Sequence, residues 1–287
     1  MVVVALIWGA GFIPQKIAME SMGPHTFNML RFSFSLLVLL PLLFWRREHY
    51  RNDSNNSLLI PALLLGILLF GGSALQQVGL VYTTVAKVAF LTSLYVAFVP
   101  LFGLLLGHRY SPVTWIGATI TLLGLYYLSG YSPGGSALGD TLALGGAVCW
   151  ALHLLINAYF VAQHSRLKLA AAQFSVCAVL SGLFALLLER NTMATILEGL
   201  HWALISGVVV IGFSYTGHIV LLRYVKPFVA AIILSLEAVF GALAGYWAFG
   251  ESWTLLGIIG AGLILFGCVL TQLPEKKTTL TATTQRP

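Results

Sequence analysis

The sequence contains few charged residues. Only 8% of its 287 residues are Asp, Glu, Lys or Arg, whereas a soluble domain carries about 25%. Hydrophobic residues make up 59% of the chain, so there is too little polar surface to cover a soluble fold. The composition therefore excludes an ordinary soluble protein and indicates a chain that uses lipid as its solvent.

Cysteine and cofactor-binding motifs are also scarce. The three cysteines, Cys149, Cys177 and Cys268, lie in apolar runs without the CxxC or Cys/His spacing of a metal site. We find no Walker-type glycine-rich loop, zinc motif or dinucleotide fingerprint in the sequence. The sequence therefore predicts no enzymatic activity, no cofactor and no metal. The net charge of +6 comes from short basic loops, which is typical of membrane topology and not of nucleic acid binding.

Long uncharged runs define the fold class. No charged residue occurs in 54–86, 110–139 or 169–188, and each run can hold the roughly 20 residues of a spanning helix. The apolar residues are consecutive, which disfavours the alternating pattern of a β-barrel. We predict an all-α polytopic membrane protein with about ten transmembrane helices, divided by Pro, Gly and polar clusters. Their predicted ranges are 2–19, 26–45, 58–80, 84–107, 112–129, 139–161, 167–188, 199–222, 227–249 and 252–272.

Basic residues are distributed unevenly between the two sides of the membrane. With ten spans, both termini share a side with the loops after spans 2, 4, 6 and 8. That side carries eleven Lys and Arg residues, against Lys16, Lys87 and Arg190 on the other. Because short basic loops stay in the cytoplasm, the bias predicts a multi-pass inner membrane protein with both termini cytoplasmic.

The two halves of the chain match each other at an offset of 142 residues. Trp8 falls on Trp150, Tyr82 on Tyr224, and the Ser93-Leu94 pair on a second Ser-Leu pair. Each half therefore holds five spans, and because five is odd, the second half crosses the membrane in the opposite sense. The sequence predicts two inverted five-helix repeats, 1–129 and 139–273, with a connecting loop at 130–138 and a disordered cytoplasmic tail at 274–287.

Inverted repeats are typical of transporters. Two halves that exchange conformations can open a central site first to one side of the membrane and then to the other. We expect a cavity lined from spans 1, 3, 4, 6, 8 and 9. Inverted duplication also occurs in some channels, so a passive channel or facilitator for small solutes stays open as an alternative.

Several short segments resemble a known family. They are Ala5–Gly9, Arg31-Phe32, Ser235–Phe240 and Phe249–Glu251. Together with the five-plus-five architecture, they are similar to an EamA-type transporter of the drug/metabolite transporter superfamily. The resemblance implies a secondary transporter that moves a small metabolite, commonly by export of an amino acid or related compound. The family usually has Pro where this chain has Ala238, and Glu where it has His108.

Two ionisable residues at membrane depth are the first candidates for the site. Burying such a group costs roughly 2.5 to 3.5 kcal/mol or more. Glu237, near the middle of span 9, is interpreted as a carboxylate that binds a proton or a substrate amine, or as a helix-packing Glu. Arg31, in span 2, is interpreted as a partner of a substrate carboxylate, as the charge that neutralises Glu237, or as a side chain that reaches the interface.

Polar residues on repeat-related helices complete the candidate site. Trp150, His153 and Asn157 share one stripe of span 6, and a polar stripe is expected to face inward. His153 is interpreted either as a substrate-binding or titrating group or as an interhelical hydrogen-bond partner. The remaining candidates are related to others by the repeat: Trp8 to Trp150, Gln173 to Arg31, Tyr95 to Glu237, and Gln76 to His218. The expected partners are a small-molecule substrate, protons if transport is coupled, and the bilayer, for a monomer or homodimer that binds no nucleic acid.

Overall fold

Apolar helices with nearly the predicted bounds form the structure. The computed structural model describes residues 1–45, 57–129 and 135–271. Within these residues, seven helices are long and apolar enough to cross a membrane, and three further apolar helices are shorter. We number these ten segments spans 1 to 10 in chain order. The predicted tail 274–287 and residues 130–134 of the predicted connecting loop lie outside the described residues.

Six spans are single helices and four are built from consecutive helical segments. The single helices are span 2, Pro24–Trp45; span 3, Leu59–Tyr82; span 5, Pro112–Ser129; span 6, Ala137–Phe160; span 7, Arg166–Leu188; and span 10, Leu255–Leu270. The divided ones are span 1, Val2–Ala10 and Phe12–Ala18; span 4, Val85–Ser93 and Tyr95–Leu105; span 8, Met193–Ile205, Ser206–Tyr215 and Thr216–Leu222; and span 9, Pro227–Leu234 and Leu236–Phe249.

The packing of the helices follows the repeat. Span 2 packs on span 7, and span 5 packs on span 10. Each pair consists of two repeat-equivalent spans, which a two-fold axis between the halves would exchange. Span 1 contacts span 9, and their repeat equivalents, spans 6 and 4, also contact each other. Likewise, span 3 contacts span 7, and their repeat equivalents, spans 8 and 2, contact each other. The all-α fold with two inverted five-helix repeats is therefore confirmed.

Repeat-related residues end spans 4 and 9. Gly107 follows span 4 with φ +80°, and Gly250 follows span 9 with φ +65°. A left-handed residue is a common helix terminator, and glycine adopts this conformation without steric cost. Ser111 and Thr254 then accept hydrogen bonds from backbone N–H groups three residues further on, at the starts of spans 5 and 10. The match between the halves thus extends to single capping residues.

Spans 4 and 9 are interrupted at equivalent positions near their centres. The helix of span 4 breaks at Leu94 and that of span 9 at Ser235, so both breaks fall within the repeated Ser-Leu pair. The Ser235 hydroxyl donates to the Ile232 carbonyl oxygen at 2.6 Å, a bond that competes with regular helix hydrogen bonding. The breaks place Tyr95 and Glu237 at the first turns of new helical segments, next to the repeat interface.

Candidate transport site

A cavity lined by both aromatic and polar side chains lies where the two repeats meet. Its volume is about 60 Å³, room for roughly four to six ordered waters at about 10–15 Å³ of such space for each. The cavity is lined from spans 1, 3, 4, 6, 8 and 9, as expected from the sequence, and from span 2 in addition. In this conformation the cavity is small.

The lining obeys the internal symmetry of the chain. Most of the lining residues form pairs separated by 142 positions, one member from each repeat, so the cavity lies on the pseudo-two-fold axis. These pairs are Trp8 and Trp150, Phe12 and Leu154, Ser73 and Tyr215, Gln76 and His218, Thr92 and Leu234, and Tyr95 and Glu237.

Arg31 enters the cavity from span 2. Its side chain is only 4% exposed, so it does not reach the membrane interface. Nη1 donates a hydrogen bond to Gln15 Oε1 at 2.8 Å, while Nε has no hydrogen-bond partner. The guanidinium carbon lies 5.3 Å from the ring centroids of Phe27 and Phe32, close enough for cation–π attraction. Arg31 makes no ion pair with Glu237, so the alternative in which it neutralises that carboxylate is not seen within the described residues.

Gln15 holds Arg31 in place. Its amide nitrogen Nε2 donates to the Gly11 carbonyl oxygen at 2.9 Å, which leaves Oε1 free to accept from Arg31. The Gln15 backbone oxygen in turn accepts from Gln77 Nε2 at 3.1 Å. Spans 1, 2 and 3 are thus joined by one chain of hydrogen bonds that orients the guanidinium toward the cavity.

Glu237 enters the same cavity from span 9 and is 4% exposed. The Glu237 carboxyl oxygen Oε1 accepts a long hydrogen bond from Ser93 Oγ, at 3.5 Å. The Tyr95 hydroxyl, two residues further along span 4, lines the cavity near the Glu237 carboxyl group but makes no hydrogen bond of ordinary length. A buried carboxyl group bonded this weakly can bind a proton or a ligand amine.

Aromatic side chains from both repeats form one wall of the cavity. The Trp8 ring stacks on Tyr215 with 5.3 Å between centroids and lies 5.2 Å from His218. Trp150 lies 6.2 Å from Tyr215 and donates its indole N–H to Gln76 Oε1 at 2.9 Å. The Trp8 indole nitrogen and His218 Nδ1 have no partner. We call Trp8, Trp150, His153, Tyr215 and His218 the aromatic cluster.

Both ring nitrogens of His153 have hydrogen-bond partners within the protein. Its Nε2 lies 2.7 Å from Gln173 Oε1, and its Nδ1 lies 3.1 Å from the Tyr215 hydroxyl. The ring therefore joins spans 6, 7 and 8 and is 1% exposed. This arrangement matches the interhelical hydrogen-bonding interpretation of His153 more closely than direct substrate binding.

Two candidate residues lie behind the lining. Gln173 is buried and contacts His153 instead of the cavity. Asn157 is 0% exposed, and neither atom of its amide has a hydrogen-bond partner. The remaining eight candidates, Trp8, Arg31, Gln76, Tyr95, Trp150, His153, His218 and Glu237, all line the cavity.

A π-helical segment, Ser206–Tyr215, shapes the wall contributed by span 8. In a π-helix the hydrogen bonds join residues five apart, so Val210 and Tyr215 fall on one side, and both line the cavity. The equivalent part of span 3 is α-helical. The two repeats therefore differ in local conformation at the site.

The profile of one protein family, described as the EamA-like transporter family, matches residues 1–130 and 137–273. The chain belongs to this family. Its membership confirms the resemblance found in the sequence and makes the protein a multi-pass membrane transporter.

Relatives of this EamA-like transporter cover most of its length. It is 31% identical over 279 residues to an uncharacterized transporter of Archaeoglobus fulgidus, which covers 95% of this chain and 84% of the relative. It is 26% identical to the uncharacterized inner membrane transporter YedA of Escherichia coli, over 93% of this chain and 88% of YedA. A solved crystal structure with 20% identity matches with a TM-score of 0.73 over 94% of this chain and 96% of that one, which shows the same fold.

Several lining residues of the EamA-like transporter are not among the sequence candidates. Ser73, Thr92 and Tyr215 were not singled out because a lone hydroxyl residue in an apolar span is common and carries little signal. Each is nevertheless the repeat partner of another lining residue. The signal that could have found them is the 142-residue offset, applied to residues that lie one turn from a candidate on the same helix. Within the described residues, no group of three or more His, Cys, Asp or Glu side chains is arranged to hold a metal ion.

Proposed function

We propose that this EamA-like protein is a secondary transporter that moves a small zwitterionic metabolite, such as an amino acid or a related compound, by alternating access. The proposal rests on one observation above all. Arg31 and Glu237 line one small cavity from opposite repeats, and each lacks a partner of opposite charge within the described residues.

A zwitterion supplies both missing charges. Its carboxylate can accept hydrogen bonds from the Arg31 guanidinium, whose planar fork suits a carboxylate. Its ammonium group can donate to Glu237 and to the nearby Tyr95 hydroxyl. The aromatic cluster then offers an apolar wall to the rest of the molecule. A solute with one charge would leave the other buried charge uncompensated, which is costly.

The inverted repeats support alternating access. The cavity lies on the pseudo-two-fold axis, and the halves differ in local conformation at span 8. An exchange of conformations between such halves opens a shared site to the opposite side of the membrane. We propose cytoplasmic termini, from the eleven-to-three bias of basic residues, and export as the direction of net transport, from the family resemblance.

The test begins with the metabolite contents of cells with and without the gene. The leading amino acids and related compounds are then measured for uptake and counterflow in proteoliposomes that contain the purified protein. We expect saturable flux and counterflow that both Glu237→Gln and Arg31→Gln weaken. Glu198→Gln, at an exposed glutamate outside the cavity, serves as the matched control and keeps wild-type flux.

The same assay separates a carrier from a pore. A channel passes solute at a rate that rises linearly with concentration and shows no counterflow. Linear, non-saturating flux that survives both cavity substitutions would contradict the carrier proposal. Absence of flux for every zwitterion, together with flux of an uncharged or singly charged solute, would contradict the proposed substrate class.

A further inference from the structure

Glu189, at the end of span 7, binds the first turn of span 2. Its Oε1 accepts from the His25 backbone N–H at 2.6 Å, and its Oε2 accepts from the Thr26 N–H at 2.9 Å and the Thr26 hydroxyl at 2.7 Å. Asn191 adds a bond from the Gly23 N–H to its Oδ1 at 3.0 Å. A carboxylate at a helix start satisfies otherwise unpaired N–H groups and complements the helix dipole.

Glu251, directly after span 9, makes the same kind of contact with span 4. Its Oε1 accepts from the Val85 N–H at 2.9 Å and its Oε2 from the Ala86 N–H at 3.1 Å. Spans 7 and 9 end at the membrane face where spans 2 and 4 begin. Both carboxylates therefore lie at one face, and both bonds join the second repeat to the first.

At the opposite face, the residues equivalent to the Glu251 contact are of different types. The repeat partner of Glu251 is His108, and that of Val85 is Pro227, which has no backbone N–H to donate. The equivalent of Glu189 is Arg47, which lies outside the described residues. At that face the rings of Tyr110 and Phe228, one from each repeat, are in contact, with 4.8 Å between centroids.

Two lysines strengthen the face that carries the carboxylates. Lys16 Nζ donates to the Leu80 carbonyl oxygen at 2.6 Å, at the end of span 3. Lys87 pairs with Asp140 at 2.7 Å and joins spans 4 and 6. Their repeat partners are Ala158 and Val229, which can make neither contact. Neither of these two lysine contacts therefore has a repeat-related counterpart.

We propose that Glu189 and Glu251 form a two-point clasp that holds this face closed in the resting transporter, and that release of both carboxylates opens the cavity there. We call this side of the membrane the clasp face. The proposal rests on alternating access as proposed above and adds a preference between the two conformations. Charge-assisted hydrogen bonds from two helix starts to Glu189 and Glu251 favour closure at the clasp face.

The test measures access to the cavity from each side. Cys149, Cys177 and Cys268 are replaced, and Ser73, a buried lining residue, becomes the single cysteine in Ser73→Cys. A membrane-impermeant maleimide is applied to whole cells and to inside-out vesicles. Glu189→Gln and Glu251→Gln each keep the side-chain size and remove the charge. We expect each to raise labelling from the clasp face about fivefold or more, as loss of a charge-assisted bond implies, and the double variant to raise it further.

Glu198→Gln removes a carboxylate at the same end of the protein, from an exposed side chain, and is expected to leave labelling unchanged. A second double variant, His108→Glu with Pro227→Ala, supplies an acceptor and a donor at the opposite face. It is expected to lower labelling from that face and to raise it from the clasp face, so the proposal is testable even if a clasp variant does not fold.

Wild-type labelling in both double variants, Glu189→Gln/Glu251→Gln and His108→Glu/Pro227→Ala, would overturn the clasp. Labelling does not require transport, so the two proposals fail separately. Changed labelling without zwitterion flux would count against the substrate proposal alone. Saturable flux with unchanged labelling would count against the clasp alone.

Discussion

Arg31 and Glu237 reach one cavity from opposite repeats without forming an ion pair with each other. Arg31 is held by Gln15, and Glu237 has a single long hydrogen bond from Ser93. Direct neutralisation would have consumed both charges within the protein. Their separation leaves a guanidinium group and a carboxyl group at two points of the same small cavity, which is the basis of the proposed zwitterion transport.

Glu237→Gln is expected to abolish any dependence of transport on pH while the protein remains in the membrane. Glutamine has the same size but cannot bind and release a proton, so a coupling role at this position is lost. Initial flux in proteoliposomes, measured across a pH series for wild type and variant, checks this. Glu198→Gln is expected to behave as wild type, and a Glu237→Gln variant with normal flux and normal pH response would remove Glu237 from the mechanism.

Arg31→Gln is expected to raise KM for a carboxylate-bearing substrate by about tenfold or more, since a hydrogen bond to a charged group contributes about 1.5–3 kcal/mol. Arg31→Lys keeps the charge without the planar fork, so an intermediate KM is expected. The exposed Arg190 provides the control Arg190→Gln. Equal KM values for wild type and Arg31→Gln would show that the guanidinium does not bind substrate.

Tyr215→Phe is expected to destabilise the protein by about 0.5–1.5 kcal/mol, the usual net value of one hydrogen bond. The change removes the hydroxyl that lies 3.1 Å from His153 Nδ1 and leaves that buried nitrogen without its partner. Thermal unfolding in detergent measures the effect, with Tyr159→Phe, at an exposed tyrosine, as control. Equal losses for the two variants would mean that the bond to His153 contributes nothing measurable.

Gly260→Ala is expected to lower the unfolding temperature, because spans 5 and 10 pack with their backbones in contact. A Cβ atom at Gly260 would lie 2.5 Å from the Gly124 carbonyl oxygen, and overpacking of this kind costs about 1–3 kcal/mol. Gly262, on the same helix, has open space around its Cα. Gly262→Ala is therefore expected to be neutral or slightly stabilising through helix propensity. An equal response of the two positions would contradict the close approach.

Much of the fold follows from the sequence because lipid imposes simple rules on a chain. An apolar run must form a helix that satisfies its own backbone, so run lengths predicted the spans to within a few residues, except that span 8 begins at Met193 instead of near residue 199. Met193 and Leu197 are exposed apolar residues, and the helix extends through Glu198 because one exposed charge does not end a helix.

The site was less accessible to sequence reasoning. Periodicity identifies a polar face but not which residue on a neighbouring helix meets it. Arg31 could have paired with several groups, and only packing shows that Gln15 is the partner. Asn157 shares a stripe with Trp150 and His153 but lies outside the cavity lining. The roles of Glu189 and Glu251 were hidden for a related reason, since an acidic loop residue gives no sign of which helix start it binds.

Tethering one face of the transporter tests alternating access most directly. The experiment uses a cysteine-free background and a short cleavable thiol cross-linker. One variant carries Glu251→Cys and Val85→Cys, so that the cross-linker joins the repeats at the clasp face. The other carries His108→Cys and Phe228→Cys, so that it joins them at the opposite face. Each pair has a single-cysteine control. We predict that either cross-link stops zwitterion counterflow in proteoliposomes and that cleavage restores it. Counterflow that continues at the uncross-linked rate with both faces tethered would contradict the account.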